Sequence, residues 1–318
     1  MAPRYRYPFS PYPDGWYLLT DSASLAAADV LPLRYFGRDL VLYRTEGGQA
    51  VLIDAHCPHM GAHLGHGGMV EGEGIRCPFH RWCFDADGRC VEVPYATTAG
   101  RPPKVSLNAW EVREQSGLIM AWCSETGQRP SWEPPERPEF GLPGWVGYEH
   151  AGWTIRMHTQ ELCENIPDTA HFTYVHEVGP EMRAEYEIKD HVYRQRSLVV
   201  IDGVATEFTT QEASGLGLVW LHTQSGMWFL TATTPIDEEF VELRLLFLVP
   251  DPAGTGEISP NAQAMIDATV ENTGRDVPIW ENKVYVERAP LVPEDGPILA
   301  LRKWARQFYP EGSVPADR

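Results

Sequence analysis

Short apolar runs broken by glycine, rather than helical stripes, mark the N-terminal part of the chain. Residues 31–36 precede a turn at Gly37, and residues 40–43 and 50–53 flank Gly47-Gly48. Paired glycines tolerate the positive φ that tight hairpins need, so this reads as a β-hairpin. A second β pair, residues 110–113 and 118–122, surrounds Gly117. Residues 54–104 between them are rich in Gly, His, Cys and Pro, as expected of a functional loop region carried on a small antiparallel domain. Residues 127–145 hold five prolines and three glycines with little periodicity, and read as a linker. Residues 157–176 are helical in parts, with Pro167 disturbing the middle. Strand-like stretches follow at 185–188, 197–201, 205–210, 218–222, 228–234 and 240–249. A long helix is expected over 261–287 and a short one over 298–308. Antiparallel strands with helices set apart at either end predict an α+β domain. The expected division is 1–128 and 129–318, with no internal repeat.

Length changes this picture little: 318 residues suit two domains, and 43% apolar content suffices for real cores. Charge excludes more. A formal charge of −18, from 44 acidic against 26 basic residues, opposes binding to nucleic acid or to an anionic membrane surface. No signal-type apolar segment follows the N-terminus, and no apolar run is long enough to span a bilayer. The expected location is cytoplasmic. The six cysteines are Cys57, Cys77, Cys83, Cys90, Cys123 and Cys163. Four crowd between positions 57 and 90, which favours metal ligation over a disulfide framework.

The chemistry concentrates in two places. The first is Cys57-Pro58-His59 followed by Cys77-Pro78-Phe79-His80. Two thiolates and two imidazoles supply the four ligands of a Rieske [2Fe-2S] cluster, in which one iron keeps both thiolates and the other takes both imidazoles. A structural zinc site is the alternative, but zinc fingers usually pair like ligands with like, and here each half carries one of each. Cys83 and Cys90 are read as small core residues, and His56, His63 and His66 as loop residues. The second place is the run from Glu164 through Asn165, Pro167, Asp168 and His171 to His176. Two histidines and one carboxylate form the facial triad of non-haem Fe(II) oxygenases. His171 and His176 are five apart, about 140° round a helix, so they converge only if the helix distorts or ends between them. Asp168, three residues before His171, can take the free ring N–H of a ligating histidine. The candidate for the missing carboxylate is Asp276 on the long late helix, with Asp267, Glu271 and Glu281 as rivals among which the residues alone do not choose. A helix N-terminal acid is the bland alternative for Asp276.

These motifs resemble the Rieske-type aromatic-ring and steroid oxygenases, with the nearest likeness to bacterial 3-ketosteroid 9α-hydroxylase oxygenases and animal cholesterol 7-desaturases. Asp276-Val-Pro-Ile-Trp-Glu-Asn-Lys, Asp295-Gly-Pro and Leu301-Arg-Lys-Trp resemble later segments of that family, so the likeness covers nearly the whole chain. It implies an N-terminal antiparallel β Rieske domain and a C-terminal helix-grip, START-like catalytic domain. It implies a [2Fe-2S] cluster on Cys57, His59, Cys77 and His80, and mononuclear Fe2+ on His171, His176 and Asp276. Asn165 becomes a further candidate catalytic residue. It implies a head-to-tail homotrimer in which Asp168 bridges a cluster histidine, His80, to His171 across subunits. O2 is the expected co-substrate, with electrons from NAD(P)H through a flavin-containing reductase, with or without a ferredoxin. The expected reaction is hydroxylation or desaturation of a small apolar, steroid-like molecule. Alternatives are an aromatic acid, an O- or N-methyl group, or a natural-product intermediate, and more remotely a bare Rieske electron carrier. Leu216, Leu218, Trp220, Trp228, Leu230 and Phe247 are candidates to line the pocket. Arg194, Arg196 or Arg244 inside it would favour an acid. Arg76, Arg81 and Arg89 are candidates for a donor-docking patch.

Overall fold

The computed structural model describes residues 6–97, 102–177 and 182–310. The chain forms two compact units, one being Leu18–Trp122 and the other Cys123 onwards together with the segment up to Tyr17.

The first unit is antiparallel strand and loop, with one short 3-10 helix at Ser22–Ser24. Strand β1 (Gly15–Asp21) opens the chain. It is followed by β2 (Val30–Tyr35), β3 (Arg38–Arg44) and β4 (Ala50–Asp54), which pair in that order. Four short strands come next: β5 (Met69–Glu71), β6 (Gly74–Arg76), β7 (Cys83–Phe84) and β8 (Cys90–Glu92). Finally β9 (Val112–Gln115) and β10 (Leu118–Cys123) form the hairpin expected around Gly117. Its turn residues Ser116 and Gly117 both have positive φ, 51° and 71°, which matches the twist of the flanking strands. Val41, Tyr43, Ile53, Leu64, Ile75 and Phe84 form the core, and Cys90 joins it as a small apolar residue.

The second unit is α+β. Its sheet has seven antiparallel strands: β11 (Trp145–Ile155), β12 (Met182–Lys189), β13 (Val192–Ile201), β14 (Val204–Ser214), β15 (Leu218–Thr223), β16 (Trp228–Pro235) and β17 (Val241–Pro250). β12 to β17 form a continuous meander, and β11 pairs with β17. β11 was not foreseen, since Gly147 and Gly152 dilute its strand pattern. Gly152 is needed where it is, because a Cβ there would lie 2.9 Å from the Leu243 carbonyl oxygen of β17.

Four helices complete the unit: α1 (Thr159–Glu164), α2 (Thr169–Tyr174), α3 (Pro260–Asn282) and α4 (Ile298–Ala305). Pro167 does interrupt the helical region, separating α1 from α2. α3 ends earlier than its pattern suggests, at Asn282. It packs on one face of the sheet, where Ile266 joins Phe229, Leu245 and Phe247 in a buried cluster. We call this the front face. The linker runs along the back. There Arg137 lies 4.6 Å from the ring centroids of both Trp220 and Trp228.

Candidate active site

In the first unit, two loops present Cys57 with His59 and Cys77 with His80. Their backbones close alike. The Cys57 carbonyl accepts from Gly61 N–H and the Cys77 carbonyl from Arg81 N–H; Cys57 N–H donates to Ala62 and Cys77 N–H to Trp82. The shared shape requires a left-handed residue at the same place in each loop, met by Gly61 (φ 73°) and, at a steric cost, by Arg81 (φ 60°). The loops bring the His59 and His80 rings to 4.7 Å between centroids, and Trp82 stacks on His59 at 4.4 Å. Trp82 is itself held by a hydrogen bond from its Nε1 to the Tyr95 hydroxyl.

Both sulfurs are buried, and burial pushes the Cys57 thiol up to about 11, with the Cys77 thiol beside it adding to the rise. The Nδ1 atoms of His59 and His80 are buried without a hydrogen-bond partner. Such atoms are costly unless something binds them. Two adjacent thiols and two orphaned imidazole nitrogens fit a cluster of mixed ligation. Cys83 and Cys90 sit in strands, buried and outside this donor set.

In the second unit, His171, His176 and Asp276 each offer a ligand atom, all within 4.8 Å of one another. Local geometry explains the convergence. His171 lies inside α2, which ends at Tyr174, so His176 falls beyond the helix and is free of its 100° step. Asp276 arrives from α3, buried at 6% exposure. It occupies the C-terminal half of that helix, where the macrodipole disfavours a carboxylate, so the helix N-terminal explanation does not apply. Asp267 and Glu271 on the same helix are exposed.

The surroundings orient the donors. His171 Nδ1–H donates to the Asp168 backbone carbonyl (2.5 Å), which leaves Nε2 as the lone-pair nitrogen. The Asn165 amide Nδ2 lies 3.1 Å from that Nε2. The expectation was that the Asp168 carboxylate would take the ring N–H. Instead Oδ1 caps α2 by accepting from the His171 backbone N–H and stays 3.9 Å from the ring nitrogen. At a helix N-cap the side chain is drawn to first-turn amides, so the carbonyl does the orienting. The Asp168 side chain is about one-third exposed, at 35%. Burial lowers the His171 pKa, which favours the neutral ligand form. His176 Nε2 stands 3.3 Å from Asp276 Oδ2, and His176 Nδ1 is buried without a partner. Two imidazoles and one carboxylate with this spacing fit a divalent metal of the Fe(II) type.

Later segments support the motif from behind. Gly296 (φ 85°) lies so close that a Cβ there would collide with the Pro167 carbonyl oxygen. Arg302 on α4 makes a two-point ion pair with buried Glu164 (3.0 and 2.7 Å). These are the residues of the Asp295-Gly-Pro and Leu301-Arg-Lys-Trp segments, and they brace the stretch from Glu164 to Pro167 that leads into His171.

Comparison with known proteins decides the family. The Rieske [2Fe-2S] domain profile matches residues 15–110, and the 3-ketosteroid 9α-hydroxylase C-terminal domain profile matches residues 121–309. The chain belongs to the 3-ketosteroid 9α-hydroxylase family of Rieske oxygenases. It is 31% identical to a probable 3-ketosteroid-9-alpha-monooxygenase oxygenase component of Rhodococcus rhodochrous, over 94% of this chain and 80% of that protein. It is also 31% identical to the cholesterol 7-desaturase nvd of Bombyx mori, over 96% of this chain and 71% of that one. Dicamba monooxygenase bound to dicamba shares the fold, with a TM-score of 0.72 at 15% identity, covering 92% of this chain and 96% of that one. This Rieske oxygenase is therefore an iron–sulfur enzyme, the oxygenase component of a system that draws on a reductase. Among the described residues, no helix is long and apolar enough to cross a membrane.

A cavity of about 360 Å³ opens onto His171, His176 and Asp276. Its walls come from α1 and α2, from the front face of β14–β16 and from α3. None of the six residues expected to line it does so. Leu218, Trp220, Trp228 and Leu230 are on the back face, offset by one residue from the lining positions Val219, Leu221, Phe229 and Thr231. Phe247 faces front but is packed under Phe229, and Leu216 belongs to the core beside α1. Both faces of these strands are covered and apolar, so alternation gave the period without the sign. Among the described residues, no Lys or Arg lines the cavity. Arg194 pairs with Glu212, Arg196 with Glu207 and Arg244 with Glu242. Near the cluster, Arg76 is bracketed by Glu71 and Glu92 and Arg89 pairs with Asp87.

Proposed function

We propose that this oxygenase hydroxylates or desaturates an uncharged, largely apolar substrate of steroid-like character. The observation that carries the reading is the cavity at His171, His176 and Asp276, walled by Leu162, Phe172, Val219, Leu221 and Phe229 and, among the described residues, lacking any Lys or Arg. A carboxylate substrate entering it would lose its water with no Lys or Arg to pair with, a cost of several kcal/mol. That disfavours the aromatic-acid alternative. The full relatives act on 3-ketosteroids or cholesterol by name, which points the same way.

His171, His176 and Asp276 are proposed to hold Fe2+, whose chemistry there is the activation of O2. Cys57, His59, Cys77 and His80 hold the cluster, which supplies single electrons drawn from NAD(P)H through a flavin-containing reductase, with or without a ferredoxin. The chain's other groups position and exclude. Asp168, through its carbonyl, fixes the His171 tautomer. Asn165 presents its amide beside the metal-facing nitrogen. The apolar walls exclude water and hold the substrate against the open face. The partly exposed Asp168 carboxylate is the proposed bridge to the partner subunit's His80 in a homotrimer.

The test is NADH-driven O2 uptake by iron-loaded protein with a surrogate reductase, against 3-ketosteroids, sterols, aromatic acids and methoxy-aromatics, with product mass recorded. Gain of one oxygen, or loss of two hydrogens, on a steroid is the expected result. Turnover confined to acids would overturn the substrate reading.

A further inference from the structure

The polar side chains around the cavity divide into two groups. Most already have protein partners. Thr269 and Thr273 bond back to carbonyls of α3, the Thr223 hydroxyl bonds the Met227 carbonyl, and the Gln224 amide donates to the Glu207 carbonyl. One strand beyond the cavity wall, on β13, Tyr193 donates to Gln195 and Gln195 donates to the Ile166 carbonyl (2.5 Å), anchoring the stretch beside Asn165. Every member of that row is accounted for.

Thr209 and Gln211 on β14 instead keep buried oxygens without such partners. They sit two apart, so both face front, and they pair in register with Ser197 and Gln195 of β13. Both line the cavity, and both are more than nine-tenths buried, at 8% and 6% exposure. Yet Thr209 Oγ1 and Gln211 Oε1 have no hydrogen-bond partner among the described residues. Buried polar groups left unpaired are costly, and apolar residues are the usual occupants of such strand positions. Gln211 is also next to the residue that anchors the metal motif, so anything it holds is oriented with respect to His171.

We infer that Thr209 and Gln211 form a hydrogen-bonding pair that recognises a neutral oxygen function, a hydroxyl or a carbonyl, on the otherwise apolar substrate. This rests on the reading of the cavity as the substrate site and adds the polar group by which the substrate is oriented. A hydroxyl donates to one member and accepts from the other. A carbonyl accepts from the Thr209 hydroxyl and from the Gln211 amide, whose two ends exchange by a half-turn of the side chain. A hydrocarbon satisfies neither.

The experiment uses a matched trio of steroids that differ at one carbon, bearing hydroxyl, ketone or only hydrogen. Binding to the holoenzyme is measured by equilibrium dialysis, and kcat, KM and the ratio of product formed to O2 consumed by the coupled assay. Wild type is expected to bind one or both oxygenated members about 10- to 100-fold more tightly than the hydrocarbon. Preference within the pair identifies which oxygen function is read. Gln211→Leu and Thr209→Val, both near-isosteric, should abolish that preference, chiefly through KM, and should lower the product-to-O2 ratio because a loosely held substrate is misaligned. Cluster absorbance and iron content check that each variant is loaded. Thr209→Val tests the pair even if Gln211→Leu fails to fold. Equal binding of all three steroids by wild type overturns the pair, as does a preference that survives both substitutions. Selective binding without turnover supports the pair and instead removes the proposed reaction on steroids.

Discussion

His158 offers a stability prediction whose size follows from its environment. It caps α1: its Nδ1 accepts from the Gln160 N–H (3.0 Å), and its Nε2–H donates to the Ser10 carbonyl (2.9 Å). Its ring also packs among Tyr7, Phe9 and Tyr309. Both nitrogens are used by the neutral form, and a proton added at Nδ1 would face the amide it now accepts from. Burial accordingly lowers the pKa from 6.5 to about 3. The sign follows from linkage. Below pH 6.5 the unfolded chain binds a proton that the fold refuses, so stability falls as pH drops from 6.5 toward about 3. Between pH 7.5 and pH 5 this group alone should remove about 2 kcal/mol. His158→Asn keeps a capping oxygen but cannot titrate. It should be less stable than wild type at pH 7.5 through lost ring packing, and the gap should shrink by about 2 kcal/mol at pH 5. Urea unfolding of both proteins at the two pH values, followed by circular dichroism, measures this, because other titrations cancel in the difference. A gap unchanged to within about 0.5 kcal/mol would refute the argument.

Three further outcomes are expected. Asp276→Ala should leave the cluster spectrum intact while affinity for mononuclear iron falls by more than the roughly 10- to 100-fold that loss of a supporting partner costs, as read by metal analysis after dialysis. Asp168→Asn should keep the α2 cap and load both centres yet lose turnover, whereas Asp168→Ala should also cost about 1 kcal/mol of stability in a melt; normal turnover in either would remove the bridging role. Arg302→Met should destabilise by about 3–5 kcal/mol by stranding buried Glu164, and Glu164→Gln added to it should restore much of that loss in a double-mutant cycle.

Legibility in the sequence followed the range of the contacts. The two cluster loops were readable because each Cys–His spacing is local and chemically distinctive. The break between His171 and His176 followed from helix arithmetic, with Pro167 nearby. Asp276 was harder: residues alone left Asp267, Glu271 and Glu281 as rivals, and only packing of α3 on the sheet separates the buried carboxylate from its less buried neighbours. The pocket wall was misplaced because strands covered on both sides carry no polar face to set the phase. The roles of Thr209 and Gln211 were invisible for a related reason, since a buried polar residue in a strand declares itself only when its neighbours' hydrogen bonds are known.

The back of the large sheet gives its front an evolutionary latitude. Arg137, between Trp220 and Trp228, fastens the linker to the face that the cavity does not use. Part of the stability of the strands is thereby invested behind them. Substitutions at the forward-facing positions of β14–β16 can then reshape what the enzyme accepts while the scaffold holds. One architecture can in this way diversify among substrates by drift on alternate residues, with its metal loops and rear staples left untouched.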